Sequence, residues 1–297
     1  MSSPRAITRF APAPTGLLHL GHVVNAIYVW GLGRRLDARV ILRVEDHDAQ
    51  RSRPEFERAL LDDLDWLGFE PDLFPTTTFR AGPCQSRQSD RLAVYAAQAA
   101  RLVNRGMVYA CTCSRRTLGP VHDCPTLGAP LTADVAWRLR LPVDRAVRFE
   151  DQLTGSQTCL LARDEADVVI RDRHGNWTYQ FAVSVDDYLQ GVTLVIRGRD
   201  LHDSTAVQIL IGEMCGRVMP AEFAHHELVM ASPTQKLSKS SGHTGIAALR
   251  AAGWSPSRVI GEAASRVGLA PEGSQVEAGA VERLFKRPGL LGSPVLS

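Results

Sequence analysis

The apolar positions change period along the first third of the chain. Residues 5–13 are a short run of β character that ends among prolines. Val23, Ala26, Ile27 and Trp30 then fall at i, i+3, i+4 and i+7, which predicts a helix over 19–36. Arg39–Glu45 alternates with β-branched residues and predicts a strand. Strand, helix and strand in such close succession predict a βαβ unit, hence a parallel sheet.

Further on, Pro54 opens a helix with Phe56, Leu60, Leu64 and Leu67 as its apolar stripe, and Gly68 closes it. Ser89–Arg105 repeats the pattern with Leu92, Tyr95, Ala99 and Leu102, and ends at Gly106. The stretch 109–130 has no periodicity and reads as a loop-rich insertion. β character returns over 164–197, with Val168–Ile170, a turn at His174–Asn176, and strands over Trp177–Val185 and Gly191–Arg197. Asp203–Cys215 and the stretch 244–285 read as helical, the latter interrupted by glycines. The expected architecture is α/β. The two halves of a Rossmann-like catalytic domain (1–108 and 164–242) flank a Cys-rich insertion (109–163), and a short helical segment follows (243–297).

Composition changes this picture little. Hydrophobic residues make up 44% and charged residues 22%, an ordinary soluble balance. Net charge is only +2, so any surface for nucleic acid must be local. No signal peptide or membrane span is read, and the cytoplasm is the expected compartment. Six cysteines in a reducing compartment argue against a disulfide framework. Three of them, Cys111, Cys113 and Cys124, crowd together and read as a metal site.

Two basic clusters carry the candidate chemistry. His19-Leu20-Gly21-His22 sits on a predicted strand-to-helix turn, where free N–H groups favour phosphate. The two histidines share one helical face, and Gly16 and Gly21 permit close approach of backbone to ligand. The second cluster, Lys236-Leu237-Ser238-Lys239-Ser240, offers two mobile point charges suited to β- and γ-phosphates. Together they read as one ATP site, with His19, His22, Lys236 and Lys239 catalytic and Gly21 and Ser238 also contacting nucleotide.

Arg9–Gly16 (Arg-Phe-Ala-Pro-Ala-Pro-Thr-Gly) with His-Leu-Gly-His resembles the opening of class I aminoacyl-tRNA synthetases of the glutamyl type. Lys236–Ser240 resembles their KMSKS loop, with Leu in place of Met. Arg43–Asp48, Thr178–Ala182, Val185–Asp187 and Gly191–Gly198 match in the same order. The resemblance covers roughly residues 5–245. It implies ATP-dependent activation of L-glutamate as an adenylate, with Mg²⁺ on the phosphates. It also implies a glutamate site. Segment Arg9–Ala13 (Arg9, Phe10, Ala11, Pro12, Ala13) lines it, and Arg9 takes a substrate carboxylate. Glu45 takes the α-ammonium, Tyr179 gives a hydroxyl and an aromatic wall, and Arg197 closes on the other carboxylate. Two guanidiniums and one carboxylate match the charges of glutamate. Ala13 stands where the family usually has Ser. Loss of that hydroxyl contact is expected to weaken glutamate binding by about 0.5–1.5 kcal/mol.

The resemblance extends to a zinc site, whose related pattern is Cys-x-Cys, then a Tyr, then a Cys four residues beyond. Here Pro120 replaces the Tyr. Cys111, Cys113 and Cys124 are the expected ligands, with His122, Asp123 or water in the fourth place. A metal-free loop is the alternative. After Ser240 only 57 residues follow (297 − 240), less than the helical anticodon-reading modules of full glutamyl enzymes need. That resembles the branch of the family that transfers glutamate to the queuosine base in the anticodon of tRNA(Asp). A monomer is expected, and Arg115 and Arg116 are candidates for contact with RNA. The rival readings are a truncated enzyme charging the 3′ end of tRNA(Glu), a small nucleotidyltransferase and a non-catalytic paralogue.

Overall fold

The computed structural model describes residues 5–113, 124–143, 145–161, 166–232, 235–236 and 245–285. Its first unit is the expected βαβ. Strand β1 (Ile7–Phe10) pairs in parallel with β2 (Arg39–Leu42), Ile7 opposite Arg39 and Phe10 opposite Leu42. The crossover is helix Leu20–Ile27, which runs on through a π-helical stretch, Tyr28–Leu32, and a last turn, Gly33–Arg35. A second parallel pair joins β8 (Leu194–Gly198) to β9 (Glu222–His226), and β9 pairs in parallel with β5 (Ala146–Asp151). The antiparallel hairpin from β5 to β6 (Gly155–Leu160) extends that sheet. Thr193 N–H donates to Ile7 O at 2.9 Å and lays β8 alongside β1. The C-terminal ends of β1 and β8 therefore open on the same edge, where α/β folds bind ligands.

A separate antiparallel sheet holds β3 (Val108–Cys111), β4 (Ala136–Arg140) and β7 (Asp167–Arg171) in that order. The pairing of β4 with β7, and of β5 with β9, ties together residues on both sides of position 163. Among the described residues, no helix is long and apolar enough to cross a membrane.

Three sequence expectations need correction. Trp177–Val185 is not a strand: helix Tyr179–Leu189 begins there. Residues 181–187 are buried all round, so the chain shows no amphipathic period to separate helix from strand. The stretch 109–130 is not all loop, since its start belongs to β3 and Cys124–Leu127 forms a helical turn. Leu92 is not on the buried stripe of its helix. It is 51% exposed, while Tyr95, Gln98, Ala99 and Leu102 face inward. Helix Pro54–Leu67 is as expected, with Pro54 in the first turn and Gly68 capping it at φ 80°.

The C-terminal segment packs on the core at Gly31 and on itself at Gly261. Helices Ile246–Ala251 and Pro256–Ser265 precede a 3₁₀ stretch, Ala278–Phe285, that packs on the π-helical stretch. A Cβ on Gly31 would lie 2.4 Å from the Phe285 ring, and one on Gly261 would lie 1.8 Å from the Ser274 carbonyl oxygen. The ring can swing, but the carbonyl is backbone and cannot. Gly261→Ala should therefore destabilise the fold by about 3 kcal/mol or more through overpacking. Urea unfolding checks this, and an unchanged midpoint would contradict it.

Candidate functional site

One cavity of about 500 Å³ opens at the shared sheet edge. Arg9, Phe10, Ala11, Pro12, Ala13, Glu45, Tyr179 and Arg197 line it, together with His19, Gly21 and His22. The structure thus brings the expected amino-acid residues and the first basic cluster into a single space.

The floor is a ladder of alternating charge. Arg9 leaves the end of β1 and donates from Nε to Asp187 Oδ1 at 3.1 Å and from Nη1 to Ile196 O at 3.2 Å. Asp187 also accepts from Arg43 Nη2 at 2.8 Å. Arg43 in turn holds Glu45 Oε1 from Nε at 3.2 Å and from Nη2 at 3.1 Å, and its Nη1 reaches Gln190. Burial works against the charge on Asp187, but Arg9 and Arg43 outweigh it and hold its carboxyl below the usual range. For Glu45 burial wins and raises the pKa, with Arg43 and Arg9 opposing. Arg43 takes only Oε1, so Glu45 is a buried carboxylate short of cationic partners.

Arg197 is the opposite case. It stands at the end of β8, 4% exposed. Its Nε donates to His225 Nε2 at 3.1 Å, Nη1 to Gln208 Oε1 at 2.5 Å and Nη2 to Thr205 Oγ1 at 2.7 Å. Burial pulls Arg197 down to about 10, with the Tyr179 hydroxyl opposing. Tyr179 begins its helix beside this guanidinium, and burial raises its own pKa. A buried cation short of anions thus shares a cavity with a buried carboxylate short of cations. An amino acid with an acidic side chain supplies both deficits.

The histidines have an unexpected arrangement. His19 is the N-cap of helix Leu20–Ile27, and its Nδ1 accepts from Gly21 N–H at 3.1 Å. His22 Nδ1 reaches back to accept from His19 N–H at 3.1 Å. This is a capping box built from two imidazoles. It assigns the ring proton of each to Nε2, so each offers an Nε2–H donor. A Cβ at Gly21 would come within 2.9 Å of the His19 ring, which explains glycine there.

The second cluster is only bracketed. Val229 lines the cavity, β10 (Met230–Ser232) pairs with β11 (Gln235–Lys236), and Gly245 forms an isolated bridge with His19. Lys236 has a placed backbone in β11. Ser238 and Lys239 lie outside the described residues, as do His122, Arg115 and Arg116.

At the cysteines, the three Sγ atoms lie within 4.8 Å of one another, Cys113 and Cys124 at 3.3 Å. Thiolates on tetrahedral zinc at ~2.3 Å stand roughly 3.8 Å apart, so the cluster fits with shifts of about an ångström. The hydrogen bond with Cys124 is the main cause that pushes the Cys113 thiol up to about 11. None of the six cysteines is joined in a disulfide.

Sequence reasoning assigned no role to Arg43, Asp187, Asp151, Thr205, Gln208, His225 or His226. The motifs that contain Arg43 and Asp187 were visible, but their pairing across 144 residues was not. His226 stacks on Tyr28 at 4.7 Å and accepts from Asn25 at Nε2, and burial drops it to about 4, so it lines the cavity as a neutral ring.

Fold and cavity together define a class I tRNA synthetase catalytic domain. The chain belongs to the family described as tRNA synthetases class I (E and Q), catalytic domain, which matches residues 5–122 and 132–283. Among its relatives, the glutamyl-Q tRNA(Asp) synthetase of Rhodobacter capsulatus is 36% identical, over 86% of this chain and 99% of that one. The glutamyl-Q tRNA(Asp) synthetase of Symbiobacterium thermophilum is 38% identical, over 88% and 86%. The chain also superimposes on a glutamate tRNA ligase from Elizabethkingia meningosepticum, solved in complex with its amino acid. The TM-score is 0.77 at 25% identity, covering 94% of this chain and 64% of that longer one.

Proposed function

We propose that this enzyme activates L-glutamate with ATP and transfers the glutamyl group to the queuosine base in the anticodon of tRNA(Asp). One observation carries the choice of amino acid: Arg197, buried among neutral acceptors, shares its cavity with Glu45, a buried carboxylate that Arg43 holds through Oε1. The relatives named above support the choice of acceptor, since this chain spans nearly the whole of the Rhodobacter protein.

In the first step an α-carboxylate oxygen of glutamate attacks the α-phosphorus of ATP, and pyrophosphate leaves. Glu45 takes the ammonium. The side-chain carboxylate is the charge that persists once the α-carboxylate has become a mixed anhydride. Arg197, the deepest unpaired cation, suits that lasting charge, and Arg9 Nη2 can reach a carboxylate from the other side. His19 and His22 present Nε2–H donors to the phosphates, and Lys236, Ser238 and Lys239 complete the nucleotide contacts. Mg²⁺ entering with ATP would neutralise β- and γ-phosphate charge. In the second step a hydroxyl of the queuosine cyclopentene diol attacks the adenylate carbonyl and AMP leaves. The protein works as a monomer in the cytoplasm.

Incubation with radiolabelled glutamate, ATP and tRNA(Asp) with or without queuosine tests the acceptor. Labelling confined to the queuosine-containing tRNA is the expected result. Equal labelling of both, or labelling of the 3′ end of tRNA(Glu), would refute it. We also assign zinc to Cys111, Cys113 and Cys124, with His122 as a candidate fourth ligand. Cys124→Ser should lower bound zinc from about one per chain to a small fraction of that in metal analysis. Wild-type protein purified without zinc would remove the assignment.

A further inference from the structure

The side chains behind Arg197 share one property. His225 and Gln208 are each held as an uncharged acceptor by a further hydrogen bond, and the Thr205 hydroxyl is uncharged by its chemistry. Asp151 Oδ2 accepts from His225 Nδ1–H at 2.6 Å, so the Nε2 lone pair faces Arg197. Asp151 is itself locked by N–H groups of Leu153, Thr154 and His225 at 2.9, 3.1 and 3.1 Å. The Gln208 amide is oriented from behind as well. Its Nε2 donates to Gln180 Oε1 at 2.8 Å, and Gln180 Nε2 donates to Ser204 Oγ at 2.8 Å. That chain turns Gln208 Oε1 toward the guanidinium. Arg9 and Arg43, by contrast, each have a carboxylate at ion-pair distance. Among the described residues Arg197 has none.

A carboxylate would hold a guanidinium more tightly than these three acceptors do. Fixing Arg197 with neutral groups forgoes that strength and keeps the charge available. We propose that Thr205, Gln208 and His225, with Asp151 behind it, form the element that makes this site select a carboxylate side chain over an amide. They fix the direction of the Arg197 guanidinium and leave its charge for the substrate. The inference rests on the glutamate reading given above and adds the residues that enforce it. Discrimination between isosteric carboxylate and amide needs an uncompensated charge in the site. A protein carboxylate in this ring would supply the compensation and penalise the charged substrate.

The test is glutamate- and glutamine-dependent pyrophosphate exchange with the full chain. Gln208→Glu places a carboxylate against Nη1. The KM for glutamate should rise about tenfold or more, with a smaller change in kcat and in the KM for ATP. The glutamate-to-glutamine ratio of kcat/KM should fall by at least about tenfold. Gln208→Met removes the acceptor without adding charge and should leave that ratio within about threefold of wild type. Equal ratios in the Glu and Met variants would overturn the proposal and reduce Gln208 to a structural part. If thermal melting shows Gln208→Glu to be unfolded, Thr205→Asp puts the charge against Nη2 instead, and an unchanged ratio there would overturn it equally. Wild-type protein that exchanges no glutamate would defeat the functional reading itself, a result distinct from a variant that keeps its preference.

Discussion

Arg197→Met should lower kcat/KM for glutamate by two to three orders of magnitude in pyrophosphate exchange. Truncating one partner of a buried, hydrogen-bonded charge pair costs about 2–5 kcal/mol, or roughly 30-fold to several thousand-fold. Arg197 belongs at the upper end because it is 4% exposed. Most of the loss should fall on KM, because the side-chain carboxylate is bound equally in ground and transition states. Arg197→Lys should recover part of it. A lysine restores the charge, but a single ammonium cannot serve His225, Gln208 and Thr205 together and still meet the substrate. Both variants leave buried acceptors short of donors, at about 1–3 kcal/mol each when fully unmet, so melting curves must accompany the kinetics. A folded Arg197→Met protein with near-normal KM for glutamate would remove this guanidinium from the site.

Much of the cavity could be read from sequence because its residues lie in short motifs at element ends. Arg9 nears the end of β1, Glu45 follows β2, Tyr179 opens a helix and Arg197 nears the end of β8. Each motif marks a chain segment arriving at the same sheet edge, so an ordered set of motifs amounts to a description of the site. The supporting residues left no such trace. Asp187 joins Arg9 and Arg43 across 178 and 144 residues, and Asp151 meets His225 across 74. A lone aspartate or histidine on an apolar stretch gives no hint of its partner. The misread helix at 179–189 has the same origin. Asp186 and Asp187 look like surface positions in a linear reading, yet both are buried. Asp186 is satisfied by Arg91, Gln88 and Tyr95, so tertiary pairing removed the polar face that would have marked a helix.

The π-helical stretch belongs to the same reasoning. Gly31 stands where the turn widens, and Phe285 fills the space beside it. The C-terminal segment is therefore packed against the helix whose N-terminus carries His19 and His22. Gly245, bridged to His19, begins that segment. The helix that carries His19 and His22 is thus contacted at its cap and farther along by residues distant in the chain.

Removing His22 from that cap should be the second large effect. His22→Ala deletes one preorganised donor to the reacting phosphates, and loss of such a donor costs about 10²–10³ in kcat. It also opens the capping box, since His19 N–H then has no side-chain acceptor, at about 0.5–2 kcal/mol of stability. The two losses can be separated. Gln at this position of a helix can reach back to the cap N–H as a capping-box residue does. His22→Gln should therefore recover most of the melting temperature and little of the exchange rate. Gly21→Ala acts from the other side. Its Cβ would press within 2.9 Å of the His19 ring, so the imidazole must turn and release Gly21 N–H. Exchange should fall by about tenfold or more, since a preorganised donor is then misplaced. If His22→Gln restored both stability and rate, the imidazoles would be caps alone, and the phosphate contacts would have to come from elsewhere in the cavity.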